Sequence, residues 1–371
     1  MSIRAGPPRS RAYPALMALS AIDAAGYSVI SPVLPVIARS TGAGPATIGA
    51  LAGMFPLGIL LGFPLAGRWV QRRPAEPLLV WSALLVALGT LGFVLGQGLA
   101  AFFVARLLMG LGSGGLWIGV TFSTLERWPD QRYLCMSRIF AAYSAGTLLG
   151  PALGLLEGIR APFGAYLLLV AAGSALVPVM EAPAVRLPLR ADRSALRVPG
   201  FWASAVGILF AVLALGVVEG VLPLHFDLAL GQRGIALLFV AVALVHASGA
   251  TLAGRLRPRS AVLASAALVV GGVAAAGATG TVAAWVLALA VAAVGIGLAE
   301  VGSMGMLLES VAPERSVTAM VVWSQLGIAG YLVGPVAGGM VVDALGFAWV
   351  GLVPAAGGAL LLGMVLRRRV R

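Results

Sequence analysis

The chain has 371 residues, 60% of them hydrophobic and 10% charged, with a formal net charge of +12, whereas soluble domains carry about 25% charged residues. This composition excludes a soluble enzyme, and at about 20 apolar residues per membrane span it leaves room for roughly twelve helices and no sizeable soluble domain. All 25 basic residues are arginines set at intervals between apolar runs, which argues against a nucleic-acid groove, and a single cysteine, Cys135, excludes an intramolecular disulfide or a multi-cysteine metal cluster.

The chain opens with Met1 to Arg11 and an apolar run from Ala12 to Ala38. That run is too long for a signal-peptide core and carries Asp23 in its middle, so it reads as the first span, with nothing cleaved. Apolar runs broken by Arg, Pro and Gly predict helices near 13–38, 46–67, 77–97, 99–125, 137–158 and 163–180. A second set is predicted near 202–226, 234–253, 261–280, 282–307, 317–341 and 346–366. The one long polar break, Glu181 to Pro199, divides the spans six and six: an N-terminal half over 1–182, a cytoplasmic linker over 183–200 and a C-terminal half over 201–371. With both termini cytoplasmic, only Arg39, Arg160 and Arg233 fall outside and Arg106 lies within a span, a strong positive-inside pattern. The tail Arg367 to Arg371 reads as a last anchor near anionic headgroups.

The halves echo each other. Gly146, Gly150, Pro151 and Gly154 follow the pattern G-x-x-x-G-P-x-x-G, which returns 184 residues later as Gly330, Gly334, Pro335 and Gly338. Glycines at this spacing leave a smooth face for a neighbouring helix, and the proline bends its own. Gly62-x-x-Leu65-Ala66-Gly67-Arg68 returns as Gly249-x-x-Leu252-Ala253-Gly254-Arg255, and Glu126 with Pro129 as Glu309 with Pro313. Such a duplication predicts two six-helix halves of like orientation about an axis along the membrane normal.

On these residues the chain resembles the major facilitator superfamily, and within it the twelve-helix drug:proton antiporters that include tetracycline exporters. The Gly146 to Gly154 stretch is similar to the antiporter signature of helix 5, with Ser137 at its first glycine and Leu155 at its last. Arg106 to Gly112 resembles the family's R-x-x-x-G-x-G motif of helix 4, and Leu19 to Gly26 around Asp23 resembles the first helix of tetracycline exporters. The resemblance implies an all-α integral membrane protein in two pseudo-symmetric six-helix halves, working by alternating access; the arginine-only basic set suggests a GC-rich bacterial genome and hence an inner membrane, where a functional monomer is expected. It implies glycine-proline helices 5 and 11 at the interface between halves, and Arg68, Arg72 and Arg255 in the gating loops. The family's aspartate after helix 2 is replaced by Gly67 and a later glycine by Val70, so the charge pairing of that loop is altered.

An ionised group at the bilayer centre costs about 2.5–3.5 kcal/mol on insertion scales, so each one that persists is a functional candidate. Asp23, Arg106, Glu219 and Glu300 fall on expected helices 1, 4, 7 and 10, which line the cavity in the family, and serve as candidates for proton and substrate coupling. A proton and a cationic or polar substrate would compete there for the same carboxylate. His246 reads as a satisfied core or interface histidine, His225 and Asp227 as outer-loop residues, and Trp117, Tyr143, Trp323 and Tyr331 as packing or interface residues rather than a stack for an aromatic substrate. Gly110-x-Gly112-x-x-Gly115 formally matches a dinucleotide fingerprint but lies inside a span with no strand before it. No catalytic triad, phosphate loop or metal-ligand cluster stands out. The expected function is proton-coupled export of small amphipathic or cationic molecules, powered by the proton gradient without a cofactor. The alternatives are an uptake symporter or metabolite carrier on the same scaffold, and a non-transporting membrane sensor or assembly factor.

Overall fold

The computed structural model describes residues 10–128, 131–180, 193–311 and 316–366, which contain no strand. The helices are α1 (Ala12–Ser28), α2 (Leu34–Thr41), α3 (Pro45–Val70), α4 (Ala75–Leu95), α5 (Gly98–Arg127), α6 (Arg132–Leu153) and α7 (Arg160–Ser174). They continue as α8 (Pro199–Gly220), α9 (Leu222–Ala253), α10 (Pro258–Ala278), α11 (Val282–Ser310), α12 (Ser316–Leu345) and α13 (Leu352–Leu366). Ten helical stretches among the described residues are long and apolar enough to cross a membrane. The expected first span is present as α1 and α2 in succession, and the sixth as the 15-residue α7. Most of the linker expected at 183–200, the tail Arg367 to Arg371, Pro129 and Pro313 lie outside the described residues.

Prolines move two of the expected boundaries. A proline ring clashes with the carbonyl four residues earlier, and α1 ends at Ser28, four residues before Pro32, where an unbroken helix over 13–38 was expected. Likewise Pro223 stands at the start of α9, so α8 ends at Gly220 instead of running to 226. His225 and Asp227 are therefore helical residues of α9 and not loop residues. Helix α9 breaks once more at Gly231, whose φ of 58° and ψ of −179° only glycine adopts readily.

The chain forms two compact units. Unit 1 gathers the described parts of Met1–Val29, Gly58–Leu153 and Arg160–Leu189, and unit 2 those of Ile30–Leu57, Gly154–Ile159 and Arg190–Arg371. Helix α3 passes from one to the other after Leu57. In unit 1, α1 packs on α5, α6 and α7, and α4 packs on α5 and α7. In unit 2, α8 packs on α11, α12 and α13, and α10 packs on α11 and α13. The same plan is thus drawn twice.

Phe93 of α4 ties three helices of unit 1 together, stacking on Phe163 of α7 at 4.0 Å and on Phe102 of α5 at 5.2 Å between ring centres. Unit 2 has an apolar core built from residues such as Phe210, Val217, Phe226, Phe239, Val269 and Leu289.

Candidate functional site

Small residues bring the helices of the site together. In unit 1 the ideal Cβ position of Gly146 overlaps the carbonyl oxygen of Ala21, and that of Gly150 lies 2.6 Å from the carbonyl oxygen of Ala25, so α6 rests directly on the backbone of α1. In unit 2 Gly330 and Gly334 meet the carbonyls of Leu209 and Leu213 of α8 in the same way, and Gly338 approaches Val217 and Val221. Gly62 and its echo Gly249 face the carbonyls of Leu111 and Val294 at 2.8 and 2.5 Å. The glycine faces singled out by sequence thus hold each unit's helices in contact. Gly154, which follows α6, belongs to unit 2 and rests against the ring of Pro32.

The two prolines in these faces free a carbonyl each, because a proline nitrogen cannot donate to the residue four before it. The carbonyl that Pro151 releases is that of Thr147, and the hydroxyl of Ser28 lies 3.3 Å from it. The released carbonyl of Tyr331, before Pro335, faces Gly216 of α8, and Pro335 itself lies against Gly216, Gly220 and Gly49.

That packing places a charged cluster deep in unit 1. Asp23 on α1 is 4% exposed, with Ser113 of α5 beside its carboxyl group. Its Oδ1 is buried with no hydrogen-bond partner. Arg106, fully buried on the same face of α5 two turns before Ser113, donates from Nη1 to the carbonyl of Gly26 at 3.0 Å and from Nη2 to that of Tyr27 at 2.9 Å. The hydroxyl of Tyr166, from α7, occupies the space that a side chain at position 26 would need. One turn beyond Ser113, Trp117 makes edge contacts with Phe140 and Tyr143 of α6, at 5.1 and 5.3 Å.

Unit 2 holds the other two expected carboxylates. Glu219, in the last turn of α8, accepts a hydrogen bond of 2.9 Å from the hydroxyl of Tyr331 on α12. Glu300 on α11 lies 3.0 Å from Nε2 of His246 on α9, so this histidine is satisfied by a carboxylate. Trp323 packs in an apolar cluster with Phe201 and Leu307. His225 stacks on Phe347 at 4.6 Å and approaches the carbonyl of Thr279 at 3.0 Å, while Asp227 pairs with Arg39.

The expected gating arginines, Arg68, Arg72 and Arg255, are exposed at helix ends. The place of the missing loop aspartate is open, with nothing within 4 Å of a Cβ at Gly67. Nearby in the chain, Glu76 at the start of α4 instead pairs with Arg127 at the end of α5, at 2.6 Å. Sequence reading passed over Ser113, Tyr166 and the Glu76–Arg127 pair. Ser113 was accessible to it, since it lies seven residues from Arg106 and so shares its helix face. No group of three or more His, Cys, Asp or Glu side chains among the described residues is placed to hold a metal ion.

A family model for the Major Facilitator Superfamily matches residues 16–259. The chain is 31% identical over 146 residues to Multidrug resistance protein 2 of Bacillus subtilis (strain 168), a match covering 37% of this chain and 36% of that protein. It is 28% identical over 154 residues to the class D Tetracycline resistance protein of Salmonella ordonez, covering 40% and 39%. These matches thus span little more than a third of each relative's length. Among solved structures, a bacterial homolog of the human lysosomal transporter Spinster, in an inward-facing and unoccupied conformation, superposes with a TM-score of 0.75 at 16% identity over 97% of this chain and 95% of that one. The human organic anion transporter MFSD10 superposes with a TM-score of 0.70 at 17% identity, over 97% and 100%. These structural likenesses concern the fold, and the family model takes in well over half of the residues: the chain belongs to the Major Facilitator Superfamily of membrane transporters.

Proposed function

We propose that this chain exports small amphipathic or cationic molecules in exchange for protons, with Asp23 as the group at which proton and cargo compete. The carrying observation is the environment of Asp23: Ser113 lies beside the carboxyl group, and Oδ1 is buried with no partner. A buried carboxylate oxygen without a partner is costly. A proton or a cation arriving there removes that cost, and only one of them fits at a time. Protonation from outside releases the cargo, and loss of the proton to the cytoplasm readmits it.

The names of the relatives, multidrug and tetracycline resistance proteins, support export as the direction. The repeated packing of α1, α5, α6 and α7 as α8, α11, α12 and α13 supports a rocking motion of two halves, 1–182 and 201–371, joined by the linker 183–200. Arg106 holds the end of the Asp23 helix, Glu219 and Glu300 supply the acidic groups of the second half, and Arg68, Arg72 and Arg255 lie in the loops that gate. The protein works as a monomer in a bacterial inner membrane, with both termini cytoplasmic and the proton gradient as its energy source.

The test uses the purified chain in lipid vesicles with an imposed pH gradient and ethidium as the cationic probe. Wild type moves ethidium against the proton flow, and Asp23→Asn lowers gradient-driven movement at least about tenfold, the factor that about 1.4 kcal/mol commands. Undiminished movement in Asp23→Asn removes Asp23 from the mechanism. Movement in the same direction as protons supports uptake, and no movement at all supports a sensor.

A further inference from the structure

His246 is one of two histidines in the chain, and the transport scheme above leaves it without a task. It lies seven residues before the end of α9, about 10 Å from it along the helix axis. Its Nε2 is 3.0 Å from Oε2 of Glu300, and the two side chains are 29% and 27% exposed, so neither is sealed among protein side chains. Backbone packing sets this approach. Gly297, one turn before Glu300 on α11, has its ideal Cβ position 2.5 Å from the carbonyl oxygen of His246 itself, which presses the two helices together at the pair.

A purely structural role accounts poorly for this choice of residues. The glycine contact already holds α9 against α11, and an apolar pair would serve a membrane interior at lower desolvation cost than a histidine and a glutamate. The charged groups that act on His246 are also acidic. Among the elements packed on α9, α11 contributes Glu300 and α8 contributes Glu219, which also acts electrostatically on His246. Arg39 of α2 is engaged with Asp227 near the opposite end of α9, and Arg233 pairs with Glu157 beside the turn 154–156. Helix α10 adds no charged group that acts on His246. One carboxylate thus contacts the imidazole and a second acts on it electrostatically, and Tyr331 of α12 bonds that second carboxylate.

We propose that His246 and Glu300 form a proton-binding pair of unit 2, which gains one proton from water on one side of the membrane and returns it to water on the other in each transport cycle, in addition to Asp23. In the loaded pair the proton sits on Nε2 as imidazolium and is donated to the Glu300 carboxylate. In the unloaded pair the imidazole is neutral and donates through whichever nitrogen keeps its hydrogen. The role in the cycle rests on the transport reading above, but the binding of a proton by the pair does not.

Two measurements separate these statements. The first needs no transport: in protein carrying His225→Gln and [13Cε1]-histidine, His246 gives the only imidazole resonance. That resonance should titrate between about pH 5 and 9, the window in which histidines change charge, and its midpoint should move by about one pH unit or more in Glu300→Gln. A resonance that stays constant over this range, or one that Glu300→Gln leaves in place, overturns the pair as a proton site. The second compares His246→Gln with wild type in ethidium-loaded vesicles. Glutamine keeps a hydrogen bond to Glu300 but carries no proton. Gradient-driven movement should fall at least about tenfold, while exchange of ethidium without a gradient stays within about twofold. Driven movement equal to wild type overturns the coupling role, as does an equal loss of both activities, which marks a structural histidine. Absence of driven movement in wild type sinks the transport reading, and the resonance still decides whether the pair binds a proton.

Discussion

The guanidinium of Arg106 caps the end of α1 by donating to the carbonyl of Gly26 at 3.0 Å, with Tyr27 taking a second bond from the same fork at 2.9 Å. Both carbonyls belong to the last turn of α1, where a helix lacks partners of its own. Lysine offers one compact ammonium where two acceptors need a planar fork. Arg106→Lys should therefore lower stability by about 1.5–3 kcal/mol, the worth of a charged hydrogen bond, and reduce driven transport at least about tenfold. Thermal unfolding of the purified protein and vesicle transport check the two effects. A variant with wild-type stability and transport would show that the fork geometry is dispensable.

Close backbone packing predicts a sharp contrast between glycines. At Gly150 a Cβ would press on Ser28 Oγ and lie 2.6 Å from the Ala25 carbonyl, whereas at Gly164 nothing lies within 4 Å. Gly150→Ala should destabilise the protein by about 1–3 kcal/mol through overpacking. Gly164→Ala, inside α7, should stabilise it by about 0.5–1 kcal/mol because alanine favours the helix. Comparing their melting temperatures with that of wild type tests the pair of claims.

The contrast marks how far the sequence was legible. Gly146 and Gly150 announced a close helix contact, because spacing by four carries a physical consequence wherever it occurs in a membrane helix. Asp23 and Arg106 stood out because charge is expensive in an apolar run. Which helix received the glycine face was not legible, since it depends on α1 offering Ala21, Ala25 and Ser28 at the same height. The break after Ser28 was legible in Pro32 but was outweighed by an unbroken run of apolar residues. Glu76 and Arg127 are 51 positions apart in the chain, and each alone reads as an ordinary polar end of a helix. His246 and Glu300 are 54 apart, and only the packing of α9 on α11 makes them a pair.

The Glu76–Arg127 ion pair predicts a cost where the loop before α4 lacks its expected carboxylate. Arg127's side chain is 6% exposed and Glu76's is 19% exposed, so removing one partner leaves a charge with little water around it. Glu76→Gln should cost about 1.5–3 kcal/mol, and the exchange Glu76→Arg with Arg127→Glu should recover part of that loss. Gly67→Asp, placed in open space, should leave stability within about 0.5 kcal/mol of wild type. Chemical unfolding of these proteins and of the two single charge reversals decides the matter, and an additive double variant would show that the two residues do not act on each other.

Gln232 predicts the last effect, because its side-chain amide makes both of its bonds to one residue. Its Oε1 accepts from the nitrogen of Gly158 at 2.7 Å and its Nε2 donates to the carbonyl of Gly158 at 2.9 Å, within unit 2. Gly158 has a φ of 71°, and Glu157 before it has a φ of 56°, a left-handed conformation that a residue with a Cβ adopts at a cost. The Gln232 amide thus fixes a turn that the backbone alone disfavours. Gln232→Ala should destabilise by about 1–3 kcal/mol. Gln232→Glu keeps the bond to the nitrogen but sets a carboxylate against a carbonyl oxygen, so it should recover little of the loss. Glu157→Gly removes the strain together with an ion pair to Arg233 whose side chains are 52% and 66% exposed. Such an exposed pair is worth about 0–1 kcal/mol, and relief of a left-handed residue about 1–2 kcal/mol, so this variant should be as stable as wild type or more so. Amide hydrogen exchange over 154–159 should quicken in both Gln232 variants and stay unchanged or slow in Glu157→Gly. The opposite order would mean that the Arg233 pair, and not Gln232, holds the turn.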